Sequence, residues 1–112
     1  MQILSIEPKD LYDVLQDKGS ELYLLDVREP DEHQRVKIEA STLVPLQQVP
    51  SRLEEIRLAA ASARVAVVYC RSGGRSETAI RWLEEQGVVG LRNLRGGINA
   101  YAKEADTSLE PY

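Results

Sequence analysis

The run Arg64-Val65-Ala66-Val67-Val68-Tyr69-Cys70 is apolar on successive positions, rich in β-branched side chains, and stopped at once by Arg71-Ser72-Gly73-Gly74. A strand of that kind is buried on both faces, which requires a sheet with helices packed on either side. Glu21-Leu22-Tyr23-Leu24-Leu25-Asp26-Val27 repeats the pattern and ends in charges and Pro30. Shorter strands are expected at Ser41-Thr42-Leu43-Val44 and Gly90-Leu91-Arg92-Asn93-Leu94, each bounded by Pro or Gly. Helical periods fill the gaps. Pro8 opens the first, with Leu11, Val14 and Leu15 on one face and Gly19 closing it. Leu53, Ile56 and Leu58 mark a second after Pro50, Ala79, Ile80 and Leu83 a third closed by Gly87, and a fourth starts near Gly97-Ile98 and runs through Tyr101. The expected fold class is α/β, with a mainly parallel central sheet covered by helices on both faces.

Composition narrows the function classes. In 112 residues, 43% hydrophobic and 29% charged, the balance excludes whole-chain disorder, and the length fits a single domain, 1–112, without repeats or linkers. Fourteen Lys and Arg against 18 Asp and Glu leave a net charge of −4 and no cationic surplus for a phosphate backbone, so no nucleic-acid partner is expected. No apolar stretch is long enough to span a membrane, and residues 1–8 have neither the basic nor the apolar part of an export signal, which predicts a cytoplasmic protein with no membrane partner. One Cys and one His allow neither an intrachain disulfide nor a structural zinc site.

The chemistry concentrates in Cys70-Arg71-Ser72-Gly73-Gly74-Arg75-Ser76. At a strand-to-helix junction, unpaired amides and the positive end of the helix dipole converge, and a thiol there is favoured as thiolate. Arg71 and Arg75 add positive charge, with Arg75 the better placed to contact an oxyanion. Gly73 and Gly74 let the loop turn its amides inward as a small anion nest, and Ser76 is expected to cap the following helix. Two reactions fit. Attack on a phosphate ester is one, but cysteine phosphatases use Cys-x5-Arg, whereas residues 70 to 75 make Cys-x4-Arg. Attack on a sulfane sulfur is the other; the shorter cradle suits a single extra sulfur atom, and that reaction needs no metal and no organic cofactor.

These residues resemble the rhodanese-like sulfurtransferase family over nearly the whole chain. Leu25-Asp26-Val27-Arg28-Glu29-Pro30-Asp31-Glu32 is similar to the family's Asp-x-Arg-Glu segment, Cys70 to Ser76 to its active-site loop and helix start, and Asn93-Leu94-Arg95-Gly96-Gly97-Ile98-Asn99-Ala100-Tyr101 to its closing Gly-Gly segment. The resemblance implies a three-layer rhodanese-like fold, Cys70 as the persulfide-forming nucleophile, the loop from Arg71 to Arg75 as its cradle with the amides from Arg71 to Ser76 stabilising the persulfide, and a small sulfur donor such as thiosulfate. Asp26 and Arg28 would be a supporting ion pair beside the cleft. The tail Asp106-Thr107-Ser108-Leu109-Glu110-Pro111-Tyr112 is similar to the end of the rhodanese domain fused to adenylating enzymes that activate ubiquitin-like sulfur carriers. That implies a protein acceptor, or else a segment that only packs.

Two departures stand out. Val36-Lys37-Ile38-Glu39-Ala40-Ser41 occupies the place of the family's Gly-His-Ile-Pro-Gly-Ala, so the turn there is expected to differ. His33 replaces an aromatic residue and is read as a packed or exposed side chain rather than a base. Trp82 and Tyr101 are read as core or rim aromatics, and Glu54-Glu55 and Glu84-Glu85 as solvated helix faces. A non-catalytic binding module and a phosphatase or arsenate reductase on the same fold are the alternatives.

Overall fold

The computed structural model describes residues 2–17 and 21–112. Five strands form one parallel sheet: β1 (Leu4–Ile6), β2 (Leu22–Asp26), β3 (Thr42–Leu43), β4 (Val65–Tyr69) and β5 (Leu91–Leu94), in the order β1-β5-β4-β2-β3. Five helices accompany them: α1 (Pro8–Gln16), α2 (Pro30–Arg35), α3 (Leu53–Ser62), α4 (Gly74–Glu85) and α5 (Gly97–Glu104). Two 3-10 turns, Leu46–Gln48 and Pro50–Arg52, lead into α3.

The alternation of side chains along β4 divides the core. Val67 and Tyr69 face one side with Leu11, Leu24, Leu94, Ile98 and Tyr101, under α1 and α5. Ala66, Val68 and Cys70 face the other with Ile56, Ala79, Ile80, Leu83 and Leu91, under α3 and α4. The layers are therefore helix, sheet, helix, as expected. Strand parity also decides that Cys70 belongs to the α3/α4 side.

Two elements escape the sequence pattern. β1 is a three-residue edge strand, paired with β5 from Leu4 against Arg92 to Ile6 against Leu94, and too short and exposed to show a period. α2 buries no residue, so it has no apolar stripe; its sequence signals are Pro30 in the first turn and Glu32, whose carboxylate accepts the Glu29 amide at 3.0 Å. In α3 only Ile56 is buried, and Leu58 is 67% exposed because two residues on is about 200° around the helix. Leu58, one of the three apolar positions that mark this helix in the sequence, thus faces solvent. α1 ends at Gln16 with Asp17 as its cap, and Gly19, expected to close it, lies outside the described residues.

Candidate active site

Strand β4 delivers Cys70 to the start of the loop, and α4 begins at Gly74 with Gly73 in the cap position. Gly73 has φ of 121°, a conformation that favours glycine, and its N–H donates to Cys70 Sγ at 3.1 Å. Gly74 has an ordinary φ, and a Cβ there would meet nothing within 4 Å, so the expectation that both glycines are needed is corrected to Gly73 alone. Ser76 is not the cap either. It lies inside the first turn, buried, its hydroxyl 3.4 Å from Sγ, 3.1 Å from the Gly73 carbonyl and 2.6 Å from Asn93 Oδ1.

Burial pushes the Cys70 thiol pKa up, but hydrogen bonds from the Ser76 hydroxyl and from the Ser76, Gly73 and Ser72 amides outweigh it and leave the thiol below its ordinary value. The hydroxyl has one proton, and Asn93 Oδ1 is its closest acceptor, so the amides are the constant donors. Cys70 is 1% exposed, which makes the sulfur the floor of the loop rather than the wall of an open cleft.

Sequence reasoning missed what holds the loop from behind. Asn93, at the end of β5, donates from Nδ2 to the Gly73 carbonyl at 3.2 Å while accepting from Ser76. The first amides of α5 take the next carbonyls: Ile98 N–H donates to Cys70 O at 2.9 Å and Asn99 N–H to Arg71 O at 3.1 Å. With those carbonyls turned toward α5, the intervening amides are free to face the sulfur. Gly97 permits the approach, since it has φ of 64° and a Cβ there would stand 2.3 Å from Arg71 O. The signal was the polar Asn93 in a buried strand followed by paired glycines.

The two loop arginines differ. Arg75 forks onto Glu32 with Nη1 to Oε1 at 2.6 Å and Nη2 to Oε2 at 2.9 Å. That fork, against the opposing effect of burial and with help from the Glu29 amide and the Tyr112 hydroxyl, holds the Glu32 carboxyl down to about 2. Arg71 is exposed and lies over the Tyr112 ring, 4.8 Å from its centroid, and has no carboxylate partner among the described residues. Tyr112 therefore docks beside the loop: its hydroxyl accepts from Arg28 Nη1 at 2.8 Å and donates to Glu32 Oε2 at 2.5 Å, and its N–H donates to Asn99 Oδ1 at 3.1 Å.

Asp26 and Arg28, both fully buried, lie at the end of β2. Arg28 Nε donates to Asp26 Oδ1 at 2.9 Å and Nη2 to Oδ2 at 2.8 Å, while His33 Nδ1 and Tyr69 Oη approach Oδ2 at 2.8 and 3.1 Å. Burial alone would raise the Asp26 pKa; hydrogen bonds from the Arg28 guanidinium, from His33 and from the Arg28 amide, with the Arg28 charge, lower it overall. Arg28 also donates to the Val36 carbonyl at 2.7 Å, so the pair anchors α2, the following turn and the tail. None of these bonds reaches Cys70. A cleft of about 740 Å³ opens between His33, Arg35 and Lys37 on one wall and Leu109, Glu110 and Pro111 on the other, and no loop residue lines it. Among the described residues no cluster suited to a metal ion occurs, and no helix is long and apolar enough to cross a membrane.

A model of the rhodanese-like domain matches residues 7–104. The chain belongs to the rhodanese-like family. It is 37% identical over 91 residues to a protein named sulfurtransferase from Allochromatium vinosum, covering 81% of each. It is 35% identical over 108 residues to a protein named probable adenylyltransferase/sulfurtransferase MoeZ from Mycobacterium tuberculosis, covering 96% of this chain and 27% of that one. Some relatives are much longer: the chain spans 38% of one and 27% of another. A solved rhodanese-like domain protein from Staphylococcus aureus superposes with a TM-score of 0.78 at 24% identity, covering 98% and 99% of the two chains, and supports the fold. Proteins named sulfurtransferase within this rhodanese-like family support sulfur transfer at the level of the family.

Proposed function

We propose that this rhodanese-like chain is a sulfurtransferase that carries sulfane sulfur on Cys70. The observation that supports it most is the Gly73 N–H aimed at Cys70 Sγ at 3.1 Å, in a loop whose carbonyls are held away by α5. The Cys70 thiolate attacks the outer sulfur of a thiosulfate-like donor, the donor S–S bond breaks, and sulfite leaves with the electron pair. The negative charge now sits on the terminal sulfur of Cys70–S–S⁻, among amides already oriented toward it. A thiophilic acceptor then attacks that terminal sulfur and restores the thiolate. With a single Cys the chain cannot discharge the persulfide as an internal disulfide, so the sulfur leaves to an acceptor. The relatives named adenylyltransferase and sulfurtransferase favour a protein in that role. The reaction uses no cofactor.

Intact-mass measurement after thiosulfate tests the reading. Wild type is expected to gain one sulfur that reductant removes, and Cys70→Ser to gain none. An aryl phosphate offered in parallel should remain intact; turnover of the ester without a sulfur adduct would make the chain a phosphatase instead. The 1% exposure of Cys70 favours one second reading, a binding module without turnover. Failure of Cys70 to alkylate at neutral pH in the folded protein would select it.

A further inference from the structure

Arg71 and Arg75 belong to the same loop after Cys70, yet of the two only Arg75 is bound to a carboxylate. Its charge interacts with Cys70, so it acts on the thiolate's surroundings, but the Glu32 fork at 2.6 and 2.9 Å supplies a negative charge that travels with it. Glu32 is in turn fixed on its other side by the Tyr112 hydroxyl and, through the Glu29 amide, by the start of α2. The same Tyr112 carries Arg71 on its ring at 4.8 Å. One tyrosine thus fixes both the anion that neutralises one loop arginine and the seat of the other.

We propose that Glu32 sets the anion selectivity of the Cys70 loop: by occupying Arg75 it leaves Arg71 as the one loop cation available to an incoming anion. The group charge is then one positive unit rather than two, counting Arg71, Arg75 and Glu32. On the sulfur-transfer reading, on which its application to the donor rests, the preferred donor carries one negative charge beside its sulfane sulfur, as an alkanethiosulfonate does, ahead of the dianion thiosulfate. Glu32 touches neither sulfur nor donor, so it is a selectivity-determining residue acting through Arg75.

The test uses two alkylating agents that differ by one charge. Cys70 sulfur displaces iodide from iodoacetate or from iodoacetamide, forming the same S–C bond and breaking the same C–I bond, so the ratio of the two rates reads the local potential without any sulfur chemistry. In low salt, Glu32→Gln should raise the iodoacetate-to-iodoacetamide ratio about threefold, the effect of one added charge within several ångströms in water. Gln retains an oxygen for the Glu29 amide. Glu32→Gln/Arg75→Gln should return the ratio to the wild-type value, and Glu54→Gln, a remote surface charge, should leave it unchanged. Arg71→Gln, which leaves Glu32 intact, should lower it about threefold and keeps the proposal open to refutation should the Glu32 variant fold poorly. Steady-state kcat/KM for thiosulfate should rise in Glu32→Gln by a similar factor relative to methanethiosulfonate. An unchanged ratio in Glu32→Gln, or a raised one that the double variant retains, overturns the proposal. A raised ratio that the double variant cancels, with no sulfur adduct from either donor, supports the role of Glu32 and overturns only the sulfur-transfer reading. No labelling of Cys70 in any folded variant overturns both.

Discussion

The ends of β2 and β4 are neighbours in the sheet, with Asp26 beside Tyr69, yet they solve burial of a negative charge in opposite ways. Asp26 is met by side chains: a guanidinium on both oxygens, an imidazole and a phenol. Cys70, one residue past Tyr69 and on the other face, is met chiefly by main-chain amides. Side-chain partners bring their own counter-charge and leave a finished ion pair. Amides bring only dipoles, so the sulfur stays ionisable and able to take on and give up charge. The first arrangement holds elements together; the second leaves an atom reactive. Glu32 joins them, accepting Arg28 at its carbonyl and Arg75 at its carboxylate.

The largest loss is expected at Arg28. Arg28→Ala leaves Asp26 buried without its cation and should cost about 3–5 kcal/mol in denaturant unfolding, while Cys70 in the remaining folded protein, read with uncharged iodoacetamide, alkylates close to the wild-type rate. A large rate loss per folded molecule would show that the two centres are not separable. Gly97→Ala acts the other way around. Its Cβ would meet Arg71 O at 2.3 Å, so the loop must shift; about 1–3 kcal/mol of stability and roughly tenfold of the sulfur-loading rate should go together.

Acid sharpens the contrast. The Asp26 and Glu32 carboxyls both lie below their ordinary values in the folded chain, Glu32 going from 4.5 to about 2. A depressed carboxyl contributes stability that is complete above its unfolded value and lost as pH falls toward its folded one. Thermal midpoints should therefore drop between about pH 5 and 3, and drop less in Glu32→Gln across that interval. The smallest effect belongs to the turn after α2. Ala40 has φ of 71°, where a Cβ is strained, and Ala40→Gly should raise stability by about 0.5–1 kcal/mol without altering alkylation of Cys70.

Legibility followed physical range. The runs at 22–25 and 65–69 declare themselves because burial on both faces favours an unbroken series of apolar and aromatic side chains, and the apolar periods of α1, α4 and α5 do so because each faces one layer of core. The thiol and its loop were legible as well, since a Cys between a buried strand and Gly-rich residues is a local pattern. What stayed hidden depends on distant partners. α2 has no apolar face, and its place is set by Arg28 and Tyr112. Arg75 looked like the anion contact because nothing within its own loop reveals Glu32, 43 residues away. Asn93 and Gly97 matter only through a loop that precedes them by some 20 residues. The tail could be matched to a known ending, but its docking through Tyr112 is a property of three arginines drawn from separate segments.

Because the first turn of α5 grips the back of the Cys70 loop with the amides of Ile98 and Asn99 while the Asn99 side chain also takes the Tyr112 amide, that single turn clasps the tail and the nucleophile's dipoles together. A pull on residue 112 is transmitted through covalent backbone and short hydrogen bonds rather than through solvent. Anything that grasps the tail takes hold of the sulfur's electrostatic surroundings at the same time.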